Sequence, residues 1–128
     1  MRIAIIGQSL FAANVSKLLI ENGYEVCGIF TIQDKNGRED ALAAYAREQG
    51  LPLFKIARWR NKDKVLEQSV FDQYLSTKPD LNVLPYCSQF IPMDVINYPK
   101  HQSIIYHPSI LPRHRGASAI NWTLIEGR

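Results

Sequence analysis

Short apolar runs alternate with stretches of helical periodicity along the chain. Residues 3–6 form a β-branched run that ends at Gly7, and residues 25–31 form a second apolar run. Such runs predict buried strands. Between the two runs, apolar residues recur at the spacing of one helix face: Leu10, Val15, Leu18 and Leu19. We therefore expect a helix that ends at Asn22 and Gly23, since both residues favour helix termination.

The second quarter of the chain repeats the pattern. Asp40 is suited to cap a helix over residues 41–49, and Gly50 is suited to end it. The short run at residues 51–54 contains Pro52, which restricts it to an edge strand. Val65, Leu66, Val70 and Tyr74 then predict an amphipathic helix over residues 62–75.

In the last third, residues 81–84 and 103–106 predict the fourth and fifth strands. Pro92 can occupy the first turn of a short helix that continues through residues 95–96. A further helix is expected to begin at Ser118 and to carry Asn121 and Trp122 beneath the site. Strands that alternate with helices favour βαβ units, and hence an α/β fold with a doubly wound, mostly parallel sheet.

Composition fits one domain with a substantial core, because 46% of the 128 residues are hydrophobic. No apolar stretch approaches the roughly 18 residues that span a bilayer. The first strand starts almost at Met1, without a signal-like segment, so we expect a cytoplasmic protein without membrane contact. Cys27 and Cys87 lack metal or redox spacing and are expected to be reduced core residues.

The chain is mildly basic, with a net charge of +3 and an isoelectric point near 9.0. Its densest basic group could steer an anionic ligand and consists of Arg58, Arg60, Lys62 and Lys64. Nucleic-acid binding is not favoured, because that function normally needs a larger basic face with interleaved aromatic residues. A solvated start of the following helix explains the group better. Nothing in the sequence predicts a metal site.

Ligands of open α/β sheets bind outside the carboxyl ends of the strands. Three loops therefore deserve examination, namely residues 7–9, residues 85–92 and the loop that begins at His107. Gly7 lacks the further glycines of a dinucleotide-binding motif. The loop at 85–92 mixes polar and apolar residues between two prolines. That composition suits a flat, partly apolar ligand held through backbone groups, although an ordinary strand-to-helix connection would look the same.

His107 stands alone at the exit of an apolar run, and Pro108, Pro112 and Gly116 follow it. Histidine can give or take a proton at neutral pH, and prolines would stiffen the loop after it. The position is therefore a candidate for general acid or base catalysis. The alternative is a surface loop whose His merely caps a strand.

Residues 107–112 read His-Pro-Ser-Ile-Leu-Pro and are followed by Arg115-Gly116. This segment resembles the His-Pro-Ser-Leu-Leu-Pro…Gly signature of the folate-dependent formyltransferases. Similarity extends over essentially the whole chain, which more particularly resembles the amino-terminal hydrolase domain of the 10-formyltetrahydrofolate dehydrogenases. The segments that carry this narrower resemblance are residues 7–11, 58–60, 87–92 and 112–118.

The resemblance implies a Rossmann-like formyltransferase fold in which residues 1–128 are the amino-terminal part of a folate-binding domain. The expected reaction is hydrolysis of 10-formyltetrahydrofolate, a small-molecule folate of one-carbon metabolism, to tetrahydrofolate and formate. His107 takes the position of the catalytic His. The substrate-binding segment that holds the pterin end corresponds to Gln89, Phe90 and Ile91.

Ile105 occupies the position where formyltransferases of this fold usually have Asn. Residues two apart on a strand share one side, so Ile105 is expected to face the reaction centre without offering a hydrogen-bond donor. This departure favours hydrolysis over transfer to an amine. Arg113 and Arg115 are candidates for lining the site. His114, which lies between them, is either a loop or anion contact or a solvated bystander.

The family's catalytic Asp follows the helix expected at Ser118 and matches no carboxylate of the 128 residues. The resemblance therefore implies that the carboxyl-terminal part of the domain is missing and that this chain alone has weak or no turnover. NADP, a phosphopantetheine arm and regions that form homo-oligomers belong to the full-length family members. Two alternatives stay open: a formyltransferase that uses methionyl-tRNA or glycinamide ribonucleotide as the amine acceptor, and a non-catalytic fragment.

Overall fold

The computed structural model describes residues 1–109 and 119–125, with side chains for residues 1–106. These parts form one six-stranded sheet in the order β3-β2-β1-β4-β5-β6. The first five strands are parallel, and β6 is antiparallel to β5. The elements along the chain are β1 (Arg2–Ile6), α1 (Ser9–Glu21), β2 (Glu25–Thr31), α2 (Ala41–Gln49), β3 (Leu53–Lys55), α3 (Gln68–Ser76), β4 (Leu81–Pro85), α4 (Met93–Ile96), β5 (Ser103–Ser109) and β6 (Ala119–Ile125). The α/β class and the mostly parallel sheet agree with the sequence prediction.

Two apolar clusters pack on opposite faces of the sheet. Helices α1 and α2 cover one cluster, whose buried members include Ile3, Ile5, Ala12, Val26, Ile29, Leu42 and Val83. Helices α3 and α4 cover the other, together with the loop after β3; its buried members include Ile6, Phe30, Ile56, Trp59, Tyr74, Ile91 and Val95. Strand alternation explains why neighbouring residues of β1 and β2 divide between the clusters. No helix in the described part of the chain has the length and apolarity to span a bilayer.

Helix α2 has the predicted bounds and caps. Gly50 ends it with a left-handed φ of 70°, a conformation that glycine adopts without steric cost. At the other end, Asp40 Oδ2 accepts hydrogen bonds from Leu42 N at 2.9 Å and from Ser9 N at 2.8 Å. One carboxylate therefore caps α2 and also holds the first residue of α1.

Asp40→Ala is expected to lower the free energy of unfolding by about 1–2 kcal/mol, because both N–H groups lose their acceptor. Asp40→Asn retains a carbonyl oxygen and is expected to lose clearly less. Urea unfolding of the 128-residue chain, followed by circular dichroism, measures both variants. Equal midpoints for Asp40→Ala and the unsubstituted chain would contradict the shared cap.

A buried polar cluster joins α3, β4, α4 and β5. The Tyr74 hydroxyl donates to Asn82 Oδ1 at 2.7 Å, and Asn82 Nδ2 donates to Val95 O at 2.8 Å and to Ser103 Oγ at 3.0 Å. The Ser103 hydroxyl donates in turn to Ile96 O at 2.8 Å. Burial raises the pKa of Tyr74, so its hydroxyl remains a neutral donor. This cluster fixes the start of β5 against β4 and α4.

The predicted helix over residues 62–75 is wrong in its first half, since α3 begins only at Gln68. Asn61 Oδ1 accepts hydrogen bonds from Asp63 N at 2.8 Å and Val65 N at 3.0 Å, which turns the chain locally. Glu67 N then donates to Trp59 O at 2.9 Å. Residues 59–67 therefore form a closed loop. The basic group lies on this loop, except for Arg58 just before it, rather than on a solvated helix.

The predicted helix from Ser118 is also wrong where the structure describes it. Ala119–Ile125 form β6, which pairs with β5 so that Tyr106 lies opposite Trp122 and His107 opposite Asn121. Ile, Trp and Thr in this segment favour strands, and pairing satisfies the backbone groups at the open edge of β5. Asn121 and Trp122 consequently belong to a strand. Strand β5 also runs to Ser109, three residues beyond the predicted end.

Candidate functional site

Four segments meet at the carboxyl edge of the sheet: the loop after β1, the loop after β3, the loop after β4 and the end of β5. The strand order reverses between β1 and β4, because β2 continues the sheet on one side and β5 on the other. Crevices at such reversal points are the usual ligand sites of open α/β sheets. Two of the loops singled out from the sequence, residues 7–9 and 85–92, therefore lie at the same edge as the end of β5, whereas residues 110–118 of the third loop lie outside the described residues.

The loops after β1 and β4 touch through their backbones. A Cβ atom added to Gly7 would lie 2.3 Å from Pro85 O, a distance that no side chain tolerates. Gln8 N donates to Tyr86 O at 3.1 Å. The Gln8 side chain does not cap α1 and instead accepts hydrogen bonds through Oε1 from the Ser88 hydroxyl and from Ser88 N. We call this contact the Gln8–Ser88 bridge.

Gln89 and Ile91, predicted to bind substrate, are engaged within the protein. Gln89 Nε2 donates to Ile56 O at 2.6 Å, and Gln89 Oε1 accepts from Trp59 Nε1 at 3.2 Å. The Ile91 side chain is buried in the cluster under α3 and α4. Their side chains hold the loop after β4 against the loop after β3.

Phe90 is the exposed member of the predicted trio, with 54% of its surface accessible. The Arg60 guanidinium carbon lies 3.5 Å from the centre of its ring, in a cation–π contact. A cavity of about 230 Å³ lies beside the pair and is lined by Ala57, Arg58, Trp59, Arg60, Asn61, Gln89 and Phe90. The structure thus places two members of the basic group, Arg58 and Arg60, beside the predicted substrate segment.

Ile105 is partly buried and packs against the apolar cluster under α3 and α4. His107 follows two residues later in β5, at the carboxyl edge, and its backbone pairs with Asn121. Its side chain lies outside the described residues. Arg113, His114 and Arg115 also lie outside them.

An aromatic recess occupies the opposite side of the same edge. The rings of Phe11 and Tyr106 lie 4.7 Å apart, centre to centre, and with Ser9 and Tyr86 they line a cavity of about 300 Å³. Tyr106 directly precedes His107 in β5. This recess therefore adjoins the strand end that carries His107.

Neither cysteine is suited to nucleophilic chemistry at neutral pH. Burial raises the pKa of both the Cys27 and the Cys87 thiol, so the reactive thiolate is disfavoured. Both are free thiols, Cys27 buried and Cys87 half-buried. Among the residues that the structure describes, no three His, Cys, Asp or Glu side chains come close enough to hold a metal ion.

Sequence reasoning missed three residues that organise this edge. Trp59 is 1% exposed and forms part of the core, although its basic neighbours suggested a solvated segment. An aromatic residue between two arginines was the available signal. Gln8 and Ser88 gave none, because 80 residues separate them in the chain.

The formyl transferase family model matches residues 1–128. The chain is similar to cytosolic 10-formyltetrahydrofolate dehydrogenase of Xenopus tropicalis, at 59% identity over 127 residues, which cover 99% of this chain and 14% of that protein. It is also similar to mitochondrial 10-formyltetrahydrofolate dehydrogenase of Mus musculus, at 58% identity over the same shares of the two chains. The chain thus spans 14% of the length of these curated relatives.

Among solved structures, a formyltetrahydrofolate deformylase from Pseudomonas syringae pv. tomato shares the fold. It matches with a TM-score of 0.62 at 18% identity, over 91% of this chain and 39% of that one. The family model matches all 128 residues, and the observed sheet, with its loops at the carboxyl edge, is consistent with that match. The chain belongs to the formyl transferase family.

Proposed function

We propose that residues 1–128 form the folate-binding part of a hydrolase that converts 10-formyltetrahydrofolate to tetrahydrofolate and formate. Similarity to the 10-formyltetrahydrofolate dehydrogenases supports the substrate. Ile105 is the observation that carries the choice of hydrolysis. It places an apolar side chain, without a hydrogen-bond donor, where formyltransferases of this fold usually have Asn.

The reaction needs a proton at the leaving nitrogen and stabilisation of the oxygen. Water attacks the formyl carbon, the resulting tetrahedral centre carries a developing oxyanion, and the bond from N10 to carbon then breaks. N10 keeps the electron pair of the broken bond and takes a proton, and the formyl carbon leaves as formate. A protonated His107 can stabilise the oxyanion and supply that proton.

Folate binding is assigned to the loop after β4. A flat pterin ring can lie against backbone groups of residues 89–91, because Gln89 and Ile91 fix that backbone through contacts within the protein. Phe90 and Arg60 border the adjoining cavity. Arg113 and Arg115 are kept as candidate lining residues of the same site.

The proposals on cofactors, oligomer contacts and location follow from the resemblance to the 10-formyltetrahydrofolate dehydrogenases. By that resemblance, NADP, a phosphopantetheine arm and homo-oligomer contacts belong to regions of the full-length family members other than the part that residues 1–128 resemble. The relatives include cytosolic and mitochondrial enzymes, and we propose a cytoplasmic setting for this chain. No step of the proposed reaction uses a nucleic acid, a membrane or a metal ion.

The proposal is tested by product analysis on two proteins. One is the 128-residue chain, and the other joins it to the segment that follows the matched residues in the Xenopus tropicalis relative; we call the second the fused polypeptide. Both are incubated with 10-formyltetrahydrofolate, with and without glycinamide as an amine. We expect the fused polypeptide to release formate and tetrahydrofolate in equal amounts above the protein-free rate, and the 128-residue chain to do so weakly or not at all.

Cooperative thermal unfolding establishes beforehand that the fused polypeptide is folded. A folded fused polypeptide that formylates glycinamide without releasing formate would overturn hydrolysis in favour of transfer. Quenching of tryptophan fluorescence by tetrahydrofolate is expected in both proteins. If neither binds tetrahydrofolate and neither releases formate, the folate assignment itself is wrong.

A further inference from the structure

We propose that the cavity at the carboxyl end of β2 binds a small phosphate monoester, whose dianionic phosphate is held between Lys35 and Arg38. The cavity has a volume of about 590 Å³, and its lining residues are Ile32, Gln33, Lys35, Asn36, Arg38, Glu39 and Asp40. Small-molecule sites have volumes of roughly 300–1,000 Å³. The site is separate from the assigned folate site and does not depend on the proposed hydrolysis.

The cavity lies at the edge of the sheet where open α/β sheets bind their ligands. Its residues follow β2 directly and lead into α2. Strands β1 and β4 lie between β2 and β5, so the end of β2 is three strand spacings, about 14 Å, from the end of β5. A ligand in this cavity therefore does not cover the loop after β4, to which the folate is assigned.

A tight hairpin holds Lys35 and Arg38 directly opposite each other. Lys35 N donates to Arg38 O at 3.0 Å, and Arg38 N donates to Lys35 O at 2.9 Å. Asn36 and Gly37 form the turn between them, with left-handed φ values of 53° and 75° that are typical of a two-residue hairpin turn. Residues that exchange both hydrogen bonds lie about 5.5 Å apart at Cα, with their side chains on the same face. The backbone thus fixes two cations side by side, and we call them the hairpin pair.

The hairpin pair has unrelieved like charge. Like charges in opposed positions of a hairpin repel each other. Both side chains are exposed, and within the described part of the chain neither makes an ion pair or a side-chain hydrogen bond. A dianion between them would replace this repulsion by two attractions. The Arg38 guanidinium can donate two parallel hydrogen bonds to phosphate oxygens, and the Lys35 ammonium supplies a compact point charge.

The two carboxylates that line the cavity are engaged by other partners. Glu39 Oε1 accepts a hydrogen bond from Arg47 Nη2 at 2.9 Å, and Glu39 Oε2 lies 3.0 Å from Lys55 Nζ. Hydrogen bonds from Arg47 and Lys55 hold the pKa of the Glu39 carboxyl below its usual range. Asp40 Oδ2 caps α2 through the backbone N–H of Leu42. The hairpin pair therefore supplies the lining charges that an incoming anion can bind.

The test records ¹H–¹⁵N correlation spectra of the 128-residue chain while methyl phosphate is added at constant ionic strength. The pH is kept above the second pKa of the probe, so that it carries two charges. A dispersed spectrum establishes beforehand that the chain is folded; otherwise the fused polypeptide takes its place. We expect saturable shifts centred on the amide groups of residues 35–39. Dimethyl phosphate and acetate, which carry one charge, are expected to bind about tenfold more weakly, because their attraction to each cation is halved.

Substitution of either cation should weaken binding of methyl phosphate. Lys35→Gln and Arg38→Gln are each expected to do so about fivefold, or about 1 kcal/mol, the upper value for an exposed ion pair. The double variant should show no saturable shifts at residues 35–39. Without the probe, Lys35→Gln should not lower the midpoint of thermal unfolding, because it relieves the repulsion within the hairpin pair. The matched control joins Lys62→Gln and Lys64→Gln, which removes two exposed cations elsewhere and should leave binding within about twofold.

Equal affinity for methyl phosphate in the unsubstituted chain and in the double variant would overturn the inference. Shifts of equal size at residues 35–39 and at the basic group around Lys62 would show general attraction of anions to basic surface, and they would overturn it as well. Equal binding of dimethyl phosphate would exclude a site for a monoester. None of these results bears on the proposed hydrolysis, which is judged by formate release.

Discussion

His107→Ala is expected to reduce kcat for formate release by the fused polypeptide by about two to four orders of magnitude, the usual contribution of a general acid or base. The expected change in KM is small, because the folate is assigned to the loop after β4 and not to His107. Initial rates of formate formation over a range of 10-formyltetrahydrofolate concentrations separate the two parameters.

His101→Ala is the matched control. His101 is exposed and lies just before the amino end of β5, so the control removes an imidazole at the opposite end of the strand from His107. We expect its kcat to stay within about twofold of the unsubstituted value. Retention of more than a third of kcat in His107→Ala would remove His107 from the mechanism.

Trp59→Ala is expected to lower the free energy of unfolding by about 3–5 kcal/mol, the range for large-to-small substitutions of a buried aromatic residue. Trp59 is among the largest fully buried side chains described. Its ring centre lies 5.7 Å from that of Phe30 and 6.2 Å from that of Tyr74, so the substitution opens the centre of the cluster under α3 and α4. Urea unfolding followed by circular dichroism measures the loss.

Trp59→Phe separates packing from the hydrogen bond. It keeps most of the ring but leaves Gln89 Oε1 without the indole donor, so we expect a smaller loss of about 1–2 kcal/mol. Weaker tetrahydrofolate binding should accompany it, because Gln89 then holds the loop after β4 less firmly. A loss below about 1 kcal/mol for Trp59→Ala would show that this tryptophan does not support the core.

The parts of the fold that follow from local signals were predictable from sequence. Strand β2 and helix α2 have the predicted bounds, since a β-branched run, the Asp40 cap and the Gly50 terminator each act on neighbouring residues. The start of α3 was not predictable in the same way. Val65 fits the helical period, yet the Asn61 side chain holds residues 61–65 in a turn, and Val65 remains 57% exposed.

The candidate site was likewise predictable only in part. The carboxyl-edge rule predicted that residues 7–9 and 85–92 lie at one edge with the end of β5, which the structure confirms, and the resemblance supplied roles for His107 and Gln89. The internal use of Gln89 depends on Trp59 and Ile56, about thirty residues earlier in the chain. The Gln8–Ser88 bridge depends on residues still further apart. Such contacts exist only once the sheet is assembled, and no local pattern encodes them.

The hydrolysis claim is tested most directly by running the reaction of the fused polypeptide in ¹⁸O-labelled water with glycinamide present. Attack by water on the formyl carbon predicts that protein-dependent formate carries one labelled oxygen and accumulates mole for mole with tetrahydrofolate, while little glycinamide is formylated. A product consisting mainly of formylglycinamide, with its formyl oxygen unlabelled, would contradict hydrolysis and identify the chain as part of an amine formyltransferase.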